Sequence, residues 1–188
     1  QKTAYEIMPS LVGSEMCIRD RDMVRVCDEL RQSFDFLLID SPAGIEQGFR
    51  NAVAPADEVI IVTNPEITAV RDADRVIGLL EAEEKGPIRL VINRLKPEMV
   101  RRGDMLTSED VLELLAVELI GIVPEDEAVI TAANTGRPIA LSDDSLAGRA
   151  FHNIARRLLG EEVPFAPLRE PGFLERLRDW FGRKEGEP

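Results

Sequence analysis

Residues 37–45 read Leu-Leu-Ile-Asp-Ser-Pro-Ala-Gly-Ile, an apolar run that ends in an acid and passes into a small-residue loop. A buried strand that carries Asp40 to its C-terminal edge, just before a flexible turn, places a carboxylate where open α/β sheets gather their ligands. Magnesium keeps several waters and takes few protein ligands, so one well-placed acid can hold the ion through water. The competing reading of Asp40 is a strand-end acid that caps the next turn. The usual partner of such an acid is missing. No Gly-x-x-x-x-Gly-Lys-Ser/Thr phosphate loop occurs in these 188 residues.

Two further places could do chemistry. Asn93 follows the apolar run Ile88–Ile92, and its amide offers both a donor and an acceptor, which suits the edge of a purine. The alternative is a strand-end turn residue. Near the C-terminus, Phe173, Leu174, Leu177, Trp180 and Phe181 fall on one helical face, with Arg176, Arg178, Arg183 and Lys184 close by. Such a basic, apolar-faced segment suits reversible attachment to an anionic membrane surface, with Trp180 at the lipid–water boundary. The competing reading is an amphipathic helix packed on its own domain or on a partner. His152, the single histidine, has no nearby Ser or Cys constellation, and a surface or groove position is expected.

The elements that must position these groups alternate. Helical character over 23–31 would turn Val24, Cys27 and Leu30 inward, and a short buried strand is expected over 36–39. A short helix over 49–54 ends at Pro55. The continuous β-branched run 59–62 reads as a strand covered on both faces. Residues 68–82 predict a helix whose Val70, Ala73, Ile77 and Leu80 share one face. Strands are expected over 88–92 and 119–123, with a long polar loop over 94–105. Thr107 and Asp110 read as a capping box for the next helix. Residues 126–133 form a short helix, and Ser142 or Asp143 caps a last one reaching Leu159, closed by Gly160. This order predicts an α/β fold, a parallel sheet with helices on both faces.

Composition narrows the class. Acids outnumber bases 35 to 23 for a net charge of −12, which argues against a general nucleic-acid binder. Cys17 and Cys27 form neither a metal-ligand spacing nor a disulfide framework. No apolar run approaches the roughly 20 residues of a membrane span, and the expected compartment is the reducing cytoplasm. Residues 1–21 show no clean period and resemble a translated sequencing-adaptor read, so they are expected to be non-native, against the plainer reading of an irregular native N-terminus.

Several ordered segments together carry a resemblance. They are Ile39-Asp-Ser-Pro-Ala-Gly-Ile-Glu-Gln-Gly48, Thr63-Asn-Pro-Glu66 with Ala69-Val-Arg-Asp-Ala-Asp-Arg75, Arg102-Gly-Asp-Met105, Val123-Pro-Glu-Asp126, and the tail from Gly172. From about Asp22 to Lys184 the chain resembles the MinD/ParA family of deviant Walker-A ATPases. The resemblance implies an incomplete P-loop NTPase-type fold, its phosphate loop preceding this stretch. The implied organisation is the C-terminal part of the ATPase domain over 22–160, a proline-rich linker over 161–171 and an amphipathic membrane-targeting helix over 172–184. ATP and Mg2+ are the implied cofactors, and no Asn-Lys-x-Asp guanine motif occurs, since Asn93-Arg-Leu-Lys96 lacks the final acid.

The same resemblance makes Asp40 the catalytic, water-mediated magnesium residue and Ser41, Pro42 and Gly44 a switch segment. It makes Asn93, Pro124, Glu125 and Asp126 the surround of adenine. Glu66, Asp72 and Asp74 become candidates for docking a MinE-like activator and a MinC-like division inhibitor, against the plainer reading of a solvated charged face. The implied whole is an ATP-dependent homodimer, cytoplasmic and peripheral on the inner face of the cell membrane, that helps place the division septum. Alternatives kept open are a flagellar-number or chromosome-partitioning relative and a non-catalytic membrane-binding adaptor. Without a phosphate cradle, these 188 residues are not expected to bind or hydrolyse ATP by themselves.

Overall fold

A computed structural model describes residues 20–42, 44–142 and 144–165. The chain divides into two units, residues 1–59 and 60–188. The tail residues Phe173, Leu174, Leu177, Trp180 and Phe181, together with Asp143 and Cys17, lie outside the described residues.

In the first unit, helix α1 (Asp20–Arg31) contacts α2 (Gln47–Val53). Cys27 is buried on α1, and Phe49, Ala52 and Val53 are buried on α2. Burial pushes the Cys27 thiol pKa up, which suits a packing residue rather than a nucleophile. Arg31 ties the end of α1 to the turn after α2, donating to the Pro55 carbonyl at 2.7 Å and to Asp57 at 2.9 Å.

Between these helices the expected strand does not form. Residues 36–42 form no helix and belong to no ladder. Phe36 and Leu38 are 65% and 89% exposed, whereas Leu37 and Ile39 are half-buried. That alternation is the period of an extended chain with one covered face. An apolar run becomes a strand only where a neighbour takes up its backbone N–H and C=O groups. Among the described residues no such neighbour pairs with this run.

The second unit holds a three-stranded sheet in the order β1 (Val59–Thr63), β2 (Ile88–Leu95), β3 (Glu118–Pro124). β2 and β3 run parallel, with Leu90 opposite Leu119 and Ile92 opposite Ile122. β1 departs from expectation at Val62, which is 61% exposed, so this strand is not covered on both faces. One face of the sheet packs Val91, Ile120 and Val123 against Ala147 and Ile154 of α7 (Leu146–Leu158). Alternation sends Leu90 and Ile92 to the other face, and both are 0% exposed, so that face is covered as well. Helix α3 (Ile67–Ala82) buries the four residues its period predicts, Val70, Ala73, Ile77 and Leu80, and contacts α5 (Ser108–Leu115).

Local signals explain most boundaries. The Thr107–Asp110 capping box is present in both directions, at 3.0 and 2.9 Å. The expected long loop after β2 instead contains α4 (Pro97–Arg102), opened by a proline in its first turn and closed by Gly103 at φ 76°. Helix α6 (Glu127–Thr135) ends at left-handed Gly136, and Gly160 follows α7 at φ 83°. The cap of α7 is neither Ser142 nor Asp143 but Ser145, whose Oγ accepts from the Gly148 N–H at 3.0 Å. A 3-10 turn, Ile139–Leu141, lies just before this start of α7. Among the described residues no helix is long and apolar enough to cross a membrane.

Arg157 fastens the chain beyond α7. Its guanidinium donates to the carbonyls of Ile120 (2.8 Å), Val163 (3.0 Å) and Pro164 (3.2 Å), and lies 4.0 Å from the Phe165 ring centre. Burial, then the neighbouring Arg156 charge, pulls its pKa below the ordinary arginine range. Lysine cannot reproduce a planar fork that reaches several carbonyls. Arg157→Lys should therefore free residues 161–165 at a cost of about 1–2 kcal/mol. Limited proteolysis should show new cleavage after α7, with urea unfolding of the sheet shifted only slightly.

Candidate functional site

In the first unit, Asp40 is exposed at the end of the unpaired run, and Ser41 and Pro42 are exposed beside it. The Ser41 hydroxyl donates to the Pro42 carbonyl at 3.2 Å. The Pro42 ring sits over the first turn of α2, where a Cβ at Gly48 would come 2.6 Å from the proline Cγ. Gly44 has φ 93°, a conformation that strongly favours glycine. This segment therefore combines a left-handed glycine with a proline seated on a glycine of α2. Asp40 keeps an open carboxylate able to face a water-bound cation.

In the second unit, parallel pairing brings the C-terminal ends of β2 and β3 together, and Asn93, Pro124, Glu125 and Asp126 meet there. Ile92 pairs with Ile122 and Leu95 with Pro124. Asn93 and Arg94 thus oppose Val123 alone, which is a bulge. Arg94 adopts φ 57°, a left-handed conformation uncommon in residues with a side chain. Asn93 was expected to end its strand, but β2 continues to Leu95, and the asparagine lies within the bulge. Its side chain is half-buried and, among the described residues, has no hydrogen-bond partner. A half-buried amide with both donor and acceptor open is matched to a ligand edge that carries both.

Across the bulge the loop is held firmly. The Glu125 N–H donates to the Leu95 carbonyl at 3.0 Å. The Glu125 carboxylate lies 3.1 Å from Lys96 Nζ and 3.5 Å from Arg94 Nη2. The hydrogen bond from Lys96 leads the causes that hold the Glu125 carboxyl below the usual range. Pro124 presents a half-buried ring at the same edge. These residues fit a purine: an open amide, an apolar ring and a fixed loop. No described group here forms a phosphate nest.

Asp126 sits at the N-terminus of α6, the plainer reading of an acid at this position. Its Oδ1 accepts from the Ala128 N–H at 2.9 Å, capping α6. Its Oδ2 accepts from the Ser145 hydroxyl at 2.7 Å and from the Ala147 N–H at 3.3 Å. Ser145 was not singled out by motif or spacing. The available signal was a serine three residues before Gly148, the spacing of an N-cap.

Glu66 precedes α3, while Asp72 and Asp74 lie on its exposed face. Asp72 pairs with Arg75 at 3.5 Å across one helical turn. All three side chains are accessible to a partner. His152 on α7 contacts the Ala140 carbonyl and serves packing of the 3-10 turn.

Residues 11–159 match the sequence family described as cellulose biosynthesis protein BcsQ. The chain is 56% identical over 153 residues to the septum site-determining protein MinD of Synechocystis, covering 81% of this chain and 58% of that one. It is 45% identical over 190 residues to MinD of Thermotoga maritima, covering 97% of this chain and 69% of that one. Among solved structures, the MinC:MinD cell division protein complex of Aquifex aeolicus superposes with a TM-score of 0.76 at 45% identity, covering 79% of this chain and 62% of that one. The parallel sheet and its helices are those of the MinD/ParA P-loop NTPase fold. The chain spans roughly three-fifths to two-thirds of the length of these relatives, and on its sequence it belongs to the MinD family of septum site-determining proteins.

Proposed function

We propose that this chain carries the base-side half of an ATP site in a septum-placing ATPase of the Min system. The observation that carries the reading is the unpartnered Asn93 amide, in the bulge at the sheet edge that Pro124 and Glu125 share. MinD of Pyrococcus horikoshii has been solved with Mg-ADP, which supports nucleotide and magnesium as cofactors. In this reading Asn93 reads the base edge, Pro124 packs on its face, and Asp40 orders magnesium through water. Ser41, Pro42 and Gly44 form the segment that responds to the γ-phosphate. Bound ATP supplies the scissile phosphoanhydride, and catalysis there is mainly positioning and charge stabilisation.

The same reading places the protein on the inner membrane face as an ATP-dependent dimer. It attaches through Phe173, Leu174, Leu177, Trp180 and Phe181. One short helix binds weakly, and two joined in a dimer gain avidity. Glu66, Asp72 and Asp74 offer the surface for a MinC-like inhibitor and a MinE-like activator. The Aquifex aeolicus relative in complex with MinC supports the first of these partners.

The test separates base from phosphate recognition. Adenosine should perturb the Asn93 side-chain and Glu125 backbone NMR signals of the 188-residue chain in a saturable, millimolar titration. Guanosine should not, and Asn93→Ala should weaken the response about tenfold or more. Mg·ATP should bind no tighter than adenosine, because no phosphate loop is present in this sequence. Equal shifts with guanosine would overturn the adenine reading. Micromolar affinity for Mg·ATP would overturn the division of the site into two halves.

A further inference from the structure

The Pro124–Asp126 loop is gripped from two sides. On the β2 side, the Glu125 N–H bonds to Leu95 O at 3.0 Å, and the Glu125 carboxylate meets Lys96. On the other side, the Asp126 carboxylate accepts from three protein donors. It takes the Ala128 N–H on one oxygen, and the Ser145 hydroxyl and Ala147 N–H on the other. The Ser145 hydroxyl donates to Asp126 and at the same time accepts from the Gly148 N–H at 3.0 Å. Ser145 is 6% exposed, so this exchange takes place with little competition from water. One hydroxyl therefore joins the end of β3, the start of α6 and the start of α7.

We propose that Ser145 is a positioning residue for the base-side loop, acting through Asp126, and that Asp126 itself positions the loop rather than touching the base. The functional consequence rests on the reading of this edge as a purine site; the mechanical part does not. A carboxylate capping two helices gains from both helix dipoles and has its oxygens facing inward to N–H and O–H donors. The base is left to the open Asn93 amide and to Pro124. Ser145 also ties the loop to α7, whose far end carries the Arg157 fork. Loop position and helix position are thus set by one hydrogen-bonded node.

The experiment is amide hydrogen exchange on the 188-residue chain, comparing wild type with Ser145→Ala, Ser145→Thr and Asp126→Asn. A cap that served α7 alone would affect only the Ala147 and Gly148 amides. The positioning role requires the Glu125 and Ala128 amides, about twenty residues away in sequence, to exchange about tenfold faster in Ser145→Ala. Ser145→Thr, which keeps the hydroxyl, should restore them, and Asp126→Asn should reproduce the acceleration. Leu90 and Ile92 amides serve as the reference for global opening. Unchanged Glu125 and Ala128 exchange in Ser145→Ala would overturn the proposal. Adenosine affinity is read in parallel. If wild type gives no adenosine response, the purine reading fails while the exchange data still decide the node.

Discussion

Asp126→Ala should lower stability by about 2–4 kcal/mol near neutral pH, measured by urea unfolding. The mutation removes the α6 cap, for which about 1 kcal/mol is typical. It also strips a buried serine hydroxyl of its acceptor and the start of α7 of a charge-assisted bond, in the range of about 1–3 kcal/mol. The contribution depends on pH with a definite sign. The Ser145 hydrogen bond leads the causes that hold the Asp126 carboxyl below the usual range; burial opposes it, and the Ala128, Ala147 and Leu146 N–H groups add to it. A carboxyl depressed in the folded state stabilises fully above its unfolded value of about 4. That stabilisation fades as pH falls from there through the lower folded value. Wild type and Asp126→Ala should therefore differ most above about pH 5 and converge toward strongly acid pH. A difference that grew on acidification would contradict the carboxylate geometry.

Gly148→Ala should destabilise the second unit, against the usual helix rule. In an exposed helix interior, alanine is normally better than glycine by about 1 kcal/mol. Gly148 lies in the first turn of α7, and a Cβ there would fall 2.7 Å from the Ile139 carbonyl oxygen and closer still to that of Ser142. Backbone oxygens cannot swing aside as a side-chain tip does. Overpacking of this kind costs about 1–3 kcal/mol. Gly78 supplies the control, since it sits in the middle of α3 with nothing within 4 Å of an added Cβ. Gly78→Ala should stabilise by about 0.5–1 kcal/mol. Opposite signs for the two glycines, in parallel thermal or urea unfolding, are the expected result. A stabilised Gly148→Ala would mean that the 3-10 turn does not rest on α7.

The helical part of the fold was legible because its signals are local. The stripe Val70, Ala73, Ile77, Leu80 lies on one face for any helix of that sequence, and all four residues are buried. The Thr107–Asp110 box needs only four consecutive residues and forms as read. The strands were legible as apolar runs, although their edges and faces were not. Val62 reads like its neighbours yet is exposed, because coverage depends on what packs above it. The run 36–39 reads like a strand yet has no ladder among the described residues, since pairing is a property of two segments. α4 was missed because its polar residues give no period, though Pro97 and Gly103 bracket it.

At the candidate site the residue types were visible and the roles were not. Asn93, Pro124, Glu125 and Asp126 could be picked out one by one, and the chain order of β2 and β3 brought them to one edge. The bulge at Asn93–Arg94 arises from the register between two strands 31 residues apart at its closing contact, Arg94 to Glu125. Ser145 meets Asp126 across 19 residues, so no short motif contains both. Periodicity and caps act over one or two turns of chain, and they settled most of the helices; the family resemblance was carried by short ordered segments such as Ile39–Gly48 and Val123–Asp126. Register, burial of a single hydroxyl and the direction of a carboxylate are fixed by groups distant in sequence. Only the folded chain could show that Asn93 is open for a ligand while Asp126 is already spoken for.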